Sequence, residues 1–276
     1  GATTQNAGDF FNGTIDEVAI YNRTLSSQEI WEHFQRGQNL YFKVRTSHDN
    51  VRFTDWYGRD YSSANYCKDA SAVLCLDFNE TNGNTAYDKS LLKANNGTLF
   101  NGVQWNLTGK HGSSLQFDGR TTYVRINDSD SLTPNVNNGL TLEAWYKSTS
   151  SSGYAPIIGK YRNDNTNREY LWDFRCGSLF NFDLYIYDQS ANAYISRVNS
   201  SNIGICDGNW HHLVATWNGG VTNSAIRLYK DGSEIEHKGL DDAGVFVNVD
   251  NGNSEVYIGN ATWTGNAIIN GTIDSV

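Results

Sequence analysis

Three groupings in this 276-residue chain hold side chains able to take part in chemistry: the acids Asp16 and Glu17, the acids Asp173 and Asp183, and His211–His212. Cleaving a glycosidic bond needs two carboxyl groups on one face, about 5–10 Å apart, flanking the bond. On a strand, acids at i, i+2 or i, i+4 meet that condition, because successive side chains point to opposite faces. Asp16 and Glu17 are adjacent and fail it. Asp173 and Asp183 lie ten residues apart with the turn-like "RCGS" between them, so a cross-strand pair is open to them. His211 and His212 again face opposite ways and cannot form one metal or general-base site together. The plain expectation packs one ring beneath Trp210 or Trp217 and leaves the other in water. Trp145 and Trp172 are expected in the core. Trp105 and Trp263 stand in Gly/Asn-rich stretches, where an exposed indole can stack on a sugar ring, although buried packing is the commoner use. These patterns assign no catalytic residue, and an enzyme is not expected.

The four cysteines form two sequence-local pairs, Cys67 with Cys75 and Cys176 with Cys206. An even number suits disulfides in an oxidising compartment. Zinc is the alternative, but the C-x₂-C spacing is absent. Nine Asn-x-Ser/Thr sequons occur, at Asn12, Asn22, Asn79, Asn96, Asn106, Asn127, Asn199, Asn260 and Asn270. An Asn- and Thr-rich chain produces some of these by chance, yet their number favours an exported, extracellular or cell-surface glycoprotein. The net charge of −9, with no Lys/Arg run, repels phosphate backbones and argues against nucleic acid as a partner. No apolar run approaches the roughly 20 residues that cross a bilayer. The chain contains no Met and shows no signal-peptide pattern, so it reads as a mature or excised segment of something longer.

The elements that would position these residues are mostly strands. "SLQFDGRTTYVRI", "LTLEAWYK", "FDLYIYD", "HHLVATWN", "IRLYKDGSEIE" and "EVYIGN" alternate apolar and polar residues between Gly, Asn, Asp or Ser clusters, the pattern of half-buried strands. Asp231-Gly232 sits between two alternating runs and predicts a type I′ hairpin, whose turn needs residues that tolerate positive φ. Regular short strands separated by turns predict an antiparallel sandwich. One helix is expected in "LSSQEIWEHFQRG". Ser26 and Glu29 have capping-box spacing, Ile30 and Phe34 share a face, and Gly37 ends the helix. At about ten residues such a helix must dock on a sheet to persist.

The chain also carries an internal repeat of long period. Residues 1–18, "GATTQNAGDFFNGTIDEV", align without a gap on residues 259–276, "GNATWTGNAIINGTIDSV", with eight identities and an offset of 258. Asp16 recurs as Asp274, while Ser275 stands where Glu17 did.

The ordered series "LCLDFNETNGNTAYDKSLLKANNGTLFNGVQW", "GSSLQFDGRTTYVRI", "LTLEAWYK", "DGNWHHLVATWNGG", "IRLYKDGSEI" and "FNGTIDEVAIYNRTLSSQEI" resembles the LamG-like (laminin G-like, concanavalin A-like) family of tandem-repeat microbial surface proteins. The resemblance covers residues 73–276 and 1–36. It implies an all-β antiparallel β-sandwich of jelly-roll type with one short helix and a small β connector. The corresponding division is as follows: 1–36, the closing strand and helix of an upstream domain or a donated segment; 37–72, a β-rich connector in which Leu40, Phe42 and Val44 alternate, as do Val51 and Phe53; 73–276, a jelly-roll lacking its last strand and helix. That lack would leave an unpaired sheet edge. The resemblance also implies a structural Ca²⁺ between the opening loop and the closing strand, at Asp88, Asn96 and Asp274, with Asp16 as the upstream equivalent; a solvated turn is the alternative. The expected role is a structural or adhesive extracellular module associating with tandem neighbours or with further copies of itself. The alternative is a lectin-like binder of extracellular glycans.

Overall fold

The computed structural model describes residues 8–10, 12–35, 66–149, 153–162, 166–176, 181–199, 202–236, 242–264 and 271–275, with the backbone alone at 8–10, 12, 13, 66, 153–155, 181, 261–264 and 271–275. β1 (Gly8–Phe10) and β2 (Asn12–Tyr21) precede helix α1 (Ser27–Phe34). After them come β3 (Ala72–Leu76), β4 (Thr85–Ala86), β5 (Gly97–Phe100), β6 (Gln104–Asn106), β7 (Ser114–Asp118) and β8 (Tyr123–Ile126). The centre of the chain forms β9 (Leu140–Ser148), β10 (Gly153–Tyr161), β11 (Arg168–Cys176), β12 (Asn181–Asp188) and β13 (Ala193–Asn199). The remaining strands are β14 (His211–Trp217), β15 (Ile226–Lys230), β16 (Ser233–Glu234), β17 (Val256–Ile258), β18 (Asn260–Thr264) and β19 (Gly271–Ser275).

These strands build the two layers of a sandwich. One sheet runs β13-β12-β11-β10-β17-β8-β5-β4, and the other runs β16-β15-β14-β9-β19-β2-β7-β6 with β3 alongside β2. β1 pairs with β18 in a small separate sheet. The alternation along each strand decides which side chains enter the core. On β9, Leu142, Ala144 and Tyr146 face inward and are almost wholly buried. The Tyr146 ring meets Phe174 of the opposite layer edge-on, with centroids 4.5 Å apart. Trp172 and Phe182 pack beside them on β11 and β12, and Trp217 closes the same core from β14. Trp145 and Trp172 are both buried, at 1% and 0% exposure.

Both disulfides form between the sequence-local partners. Cys67–Cys75 ties a short 3₁₀ turn at residues 66–68 to β3, and Cys176–Cys206 ties the end of β11 to the loop before β14. The β15–β16 hairpin turns at Asp231 and Gly232 with φ of 50° and 76°, as a type I′ turn requires. α1 starts at N-cap Ser26, with both halves of the capping box in place and Ile30 buried beneath it. Residues 36–65, which hold Gly37 and most of the expected connector, lie outside the described residues. Among the described residues no helix is long and apolar enough to cross a membrane.

Gly232 joins two of these elements. A Cβ built there would lie 2.5 Å from Cε3 of Trp31 on α1, so the turn needs glycine both for its backbone and for the helix seated on it. Gly232→Ala is expected to cost about 1–2 kcal/mol through the left-handed backbone alone, plus displacement of Trp31. Chemical denaturation checks the total, and faster amide exchange across residues 27–35 would locate it in the helix.

Candidate functional site: the slot for the closing strand

The most constrained feature of the molecule is the gap that β2 fills. From Asn12 to Ile15 it pairs antiparallel with β7, and from Val18 to Tyr21 with β3. On its other side it pairs with β9 at Thr14 and again at Ala19–Tyr21, after a register shift. Glu17 sits within that shift with φ of 44°, the left-handed backbone of a bulged strand. Every side chain from Thr14 to Tyr21 is at most 1% exposed. The strand is therefore an interior one. The segment assigned from sequence to an upstream domain, or to donation, here sits in the closing position of this chain's own sandwich.

The second copy of the sequence carries the same address. Ile15 pairs with Leu115 of β7, and so does Ile273. Thr14 pairs with Lys147 of β9, and so does Thr272. Each equivalence is the offset of 258 found in the sequence. The far edge of β7 is already taken, since Trp105 of β6 pairs with Leu115, and β14 occupies the far edge of β9. The remaining edges of β7 and β9 thus meet two strands of matching sequence, which also pair with each other in parallel at Asp274–Ile15 and Ser275–Asp16.

α1 completes the plug on the outer face. Thr141, Glu143 and Trp145 of β9 point away from the core, and the turn after β2 settles over them. The Leu25 amide donates to Thr141 Oγ1 at 3.0 Å, and Thr141 Oγ1 donates to the Arg23 carbonyl at 2.8 Å. Phe34 stacks on Trp145 with centroids 5.8 Å apart. Beneath the helix, Glu143 is 1% exposed. His33 Nδ1 of α1 lies 2.8 Å from its Oε2, and His212 Nε2 of β14 lies 2.9 Å from its Oε1. A buried carboxyl group is costly unless it is hydrogen-bonded, and α1 supplies one of the partners of Glu143. Arg23 fastens the other end of the helix. Its Nη2 lies 2.9 Å from Glu29 and 2.8 Å from Asp69. Burial tends to raise the Glu29 carboxyl, but the Arg23 guanidinium and Ser26 outweigh it and hold Glu29 down at about 2.

The remaining sequence-predicted residues fall in several places. His211 and His212 do point to opposite faces, but neither is in water. His212 is fully buried against Trp145, with centroids 5.1 Å apart. His211 is 6% exposed, and its two nitrogens lie 2.9 Å from Asp231 and 3.0 Å from Asp207. The expectation of one solvated ring is corrected by these cross-strand carboxylates. Asp173 and Asp183 are brought together as direct partners on β11 and β12, on the face away from the core, at 0% and 1% exposure. Trp105 is half-buried, and its indole N–H donates to the Gly83 carbonyl at 2.8 Å. The side chain of Trp263 lies outside the described residues.

The implied calcium ligands are engaged otherwise. Asp88 Oδ1 accepts from the Cys75 and Ser90 amides, and its Oδ2 from Ser90 Oγ and the Asn95 amide. A carboxylate offers about four lone-pair sites, so these bonds leave none for a cation. Asn96 Oδ1 accepts from the Asp88 amide, and Asp16 accepts from the amides of Glu17 and His111. The Asp274 side chain lies outside the described residues, and among those described no group of three His, Cys, Asp or Glu is placed to hold a metal. Asp88 organises its own loop through these bonds. Of the sequons, Asn22, Asn79, Asn96 and Asn127 are exposed and Asn106 is half-buried. Asn199 and Asn260 are buried, at 2% and 6% exposure. The side chains of Asn12 and Asn270 lie outside the described residues.

A family model described as the concanavalin A-like lectin/glucanases superfamily, Laminin_G_3, matches residues 118–276, more than half of the chain. The chain belongs to this superfamily. The match begins at the end of β7 and includes β19, while β2 and α1, which fill the slot, precede it. No curated protein and no solved structure matches.

Two tests address the helix seat. His33→Ala removes one donor from buried Glu143 and should cost about 1–3 kcal/mol, measured by chemical denaturation. The second is acid titration. Glu29 has a folded-state value of about 2 against an ordinary 4.5, so its contribution is full above about 4.5 and is lost as pH falls toward 2. Amide exchange across residues 27–35 should accelerate in that window, and Glu29→Gln should flatten the dependence.

Proposed function

We propose that the chain is a non-enzymatic structural or adhesive repeat unit of an extracellular, glycosylated protein built from tandem LamG-like domains. Such a protein would project from a cell surface or form a filament. One observation carries this reading: two copies of one closing strand, 258 residues apart, are addressed to the same two neighbours. A repeat of that length matches a whole domain plus its connector. Linkage between units can be covalent, along a continuous chain, or can use strand complementation between subunits. The two disulfides and the exposed sequons suit an oxidising space outside the cell. The one acid pair in strand register among the described residues, Asp173 and Asp183, is buried.

Secretion from a eukaryotic host followed by glycopeptide mapping tests the extracellular reading. Occupancy is expected at exposed Asn79, Asn96 and Asn127. None is expected at Asn199, whose Nδ2 donates to the Glu236 carbonyl at 2.6 Å, or at Asn260. A folded, secreted chain carrying no glycan at any sequon would count against it.

A second reading, a lectin-like module, draws on the outer face of the eight-stranded sheet. There Tyr161, Tyr185, Tyr187 and Tyr194 cluster around Leu171, beside Asp173 and Asp183. Titration calorimetry against neutral oligosaccharides decides it: saturable heat supports this reading, and a flat trace removes it.

A further inference from the structure

We infer that Lys160, Asp128 and Glu169 form a self-modifying site, in which the Lys160 amine condenses with the Asp128 carboxyl group to give an internal amide cross-link. The site lies in the eight-stranded sheet and stands apart from the repeat-unit reading above.

The order of strands in that sheet builds it. Tyr170 of β11, Lys160 of β10, Val256 of β17 and Ile126 of β8 are successive partners across four strands, and all four side chains are 0% exposed. A lysine in such a row is exceptional, because a buried ammonium is costly unless it is paired. A bulge supplies one partner. Lys160 pairs with Tyr170 and Tyr161 with Arg168, which leaves Glu169 unmatched on the ladder. A bulge re-aims such a side chain, and Glu169 Oε1 contacts Lys160 Nζ. Asp128, two residues beyond Ile126, approaches from the β8 flank, with its Oδ1 2.9 Å from Nζ. Thr133 Oγ1 at 3.2 Å and the Gly252 carbonyl at 3.4 Å also accept from Nζ.

Two features exceed what an ion pair needs. One carboxylate neutralises one ammonium, yet two acids meet Nζ. Glu169 also has the surroundings of a neutral acid. It is 1% exposed, and its Oε2 meets no hydrogen-bond partner among the described residues. Burial raises its carboxyl group to about 7, against the opposing pull of Lys160. The Asp128 side chain is 34% exposed while that of Lys160 is sealed, so a water released at Asp128 has a way out. Its Cγ is one bond from an oxygen already in contact with Nζ, and groups held in this way reach effective concentrations of about 10⁵–10⁸ M.

Glu169 takes a proton from the Lys160 ammonium and passes it to Asp128, leaving a neutral amine beside a neutral acid. The Nζ lone pair then forms the bond to Asp128 Cγ. A second proton leaves the nitrogen and reaches a Cγ hydroxyl, again through Glu169. That Cγ–O bond breaks, and its electron pair departs with the water. The nitrogen gives up two protons, Asp128 gives up one oxygen, and Glu169 ends as it began. The balance needs no other reactant. The product ties β10 to the segment after β8, across β17.

Intact mass of the full chain decides it. After passage through a bacterial periplasm and reduction of the disulfides, the denatured chain should weigh one water less than its sequence. Proteolysis should release a branched peptide joining Lys160 to Asp128. Asp128→Ala keeps Lys160 and Glu169 together and should restore the full sequence mass. Asp128→Asn should give the same amide with loss of ammonia. Glu169→Gln should slow cross-linking by about 10²-fold or more, read as open chain in freshly folded protein. A folded wild-type chain at its full sequence mass overturns the inference, whatever the variants do. A branched peptide that joins Lys160 to Glu169, or that survives Asp128→Ala, overturns the roles of the two acids. Cross-linking undiminished in Glu169→Gln overturns the proton relay.

Discussion

A β-sandwich cannot leave an interior strand position empty. Between β7 and β9 the facing peptide groups are met by β2 and, beside it, β19. Exposed, they would offer an adhesive edge; buried without partners, each would cost on the order of 1–3 kcal/mol. Much of the rest of the molecule serves that requirement. The sequence encodes the filler twice, the longer version brings a helix to cap the outer face, and Arg23 with its partners Glu29, Asp69 and Ser71 holds that helix to the turn before β3.

The helix seat shows how polar chemistry can specify a docking event without catalysis. Glu143 is a poor choice for stability considered alone, since an apolar residue in its place would need no partners. It links the helix to the sheet through His33 and His212. A strand that brings no helix leaves the carboxylate without His33, whereas β2 with α1 supplies it. Phe34 against Trp145 and Trp31 over Gly232 add shape to that test. The same logic explains why His212, the other donor to Glu143, is buried and not solvated.

Much of this was legible in the amino-acid order, for identifiable reasons. The capping box at Ser26 and Glu29, the Asp231-Gly232 hairpin and the two disulfides are local signals, carried by residues within a few or a few tens of positions of one another. The sandwich followed from alternation, and the register of Asp173 with Asp183 from the turn between them. The seat of the histidines was not legible. Glu143 and His212 are 69 residues apart, and an acid at an outward position of "LTLEAWYK" has the appearance of an ordinary solvated side chain until a helix is known to cover it. Nor could the repeat say that its two copies would lie side by side in one sheet. The hydrogen bonds that Asp88 accepts from Cys75, Ser90 and Asn95 were not legible either, because an acid among Ser and Asn does not say which donors it will meet.

The placement of β2 has a mechanical corollary. It pairs antiparallel with β7 and β3 along one flank and with β9 at Thr14 and Ala19–Tyr21 on the other, where β19 lies parallel to it at Ile15 and Asp16. Tension applied along its axis therefore loads those backbone bonds side by side, in shear, instead of peeling them open one after another. A joint of that kind holds until many bonds fail together.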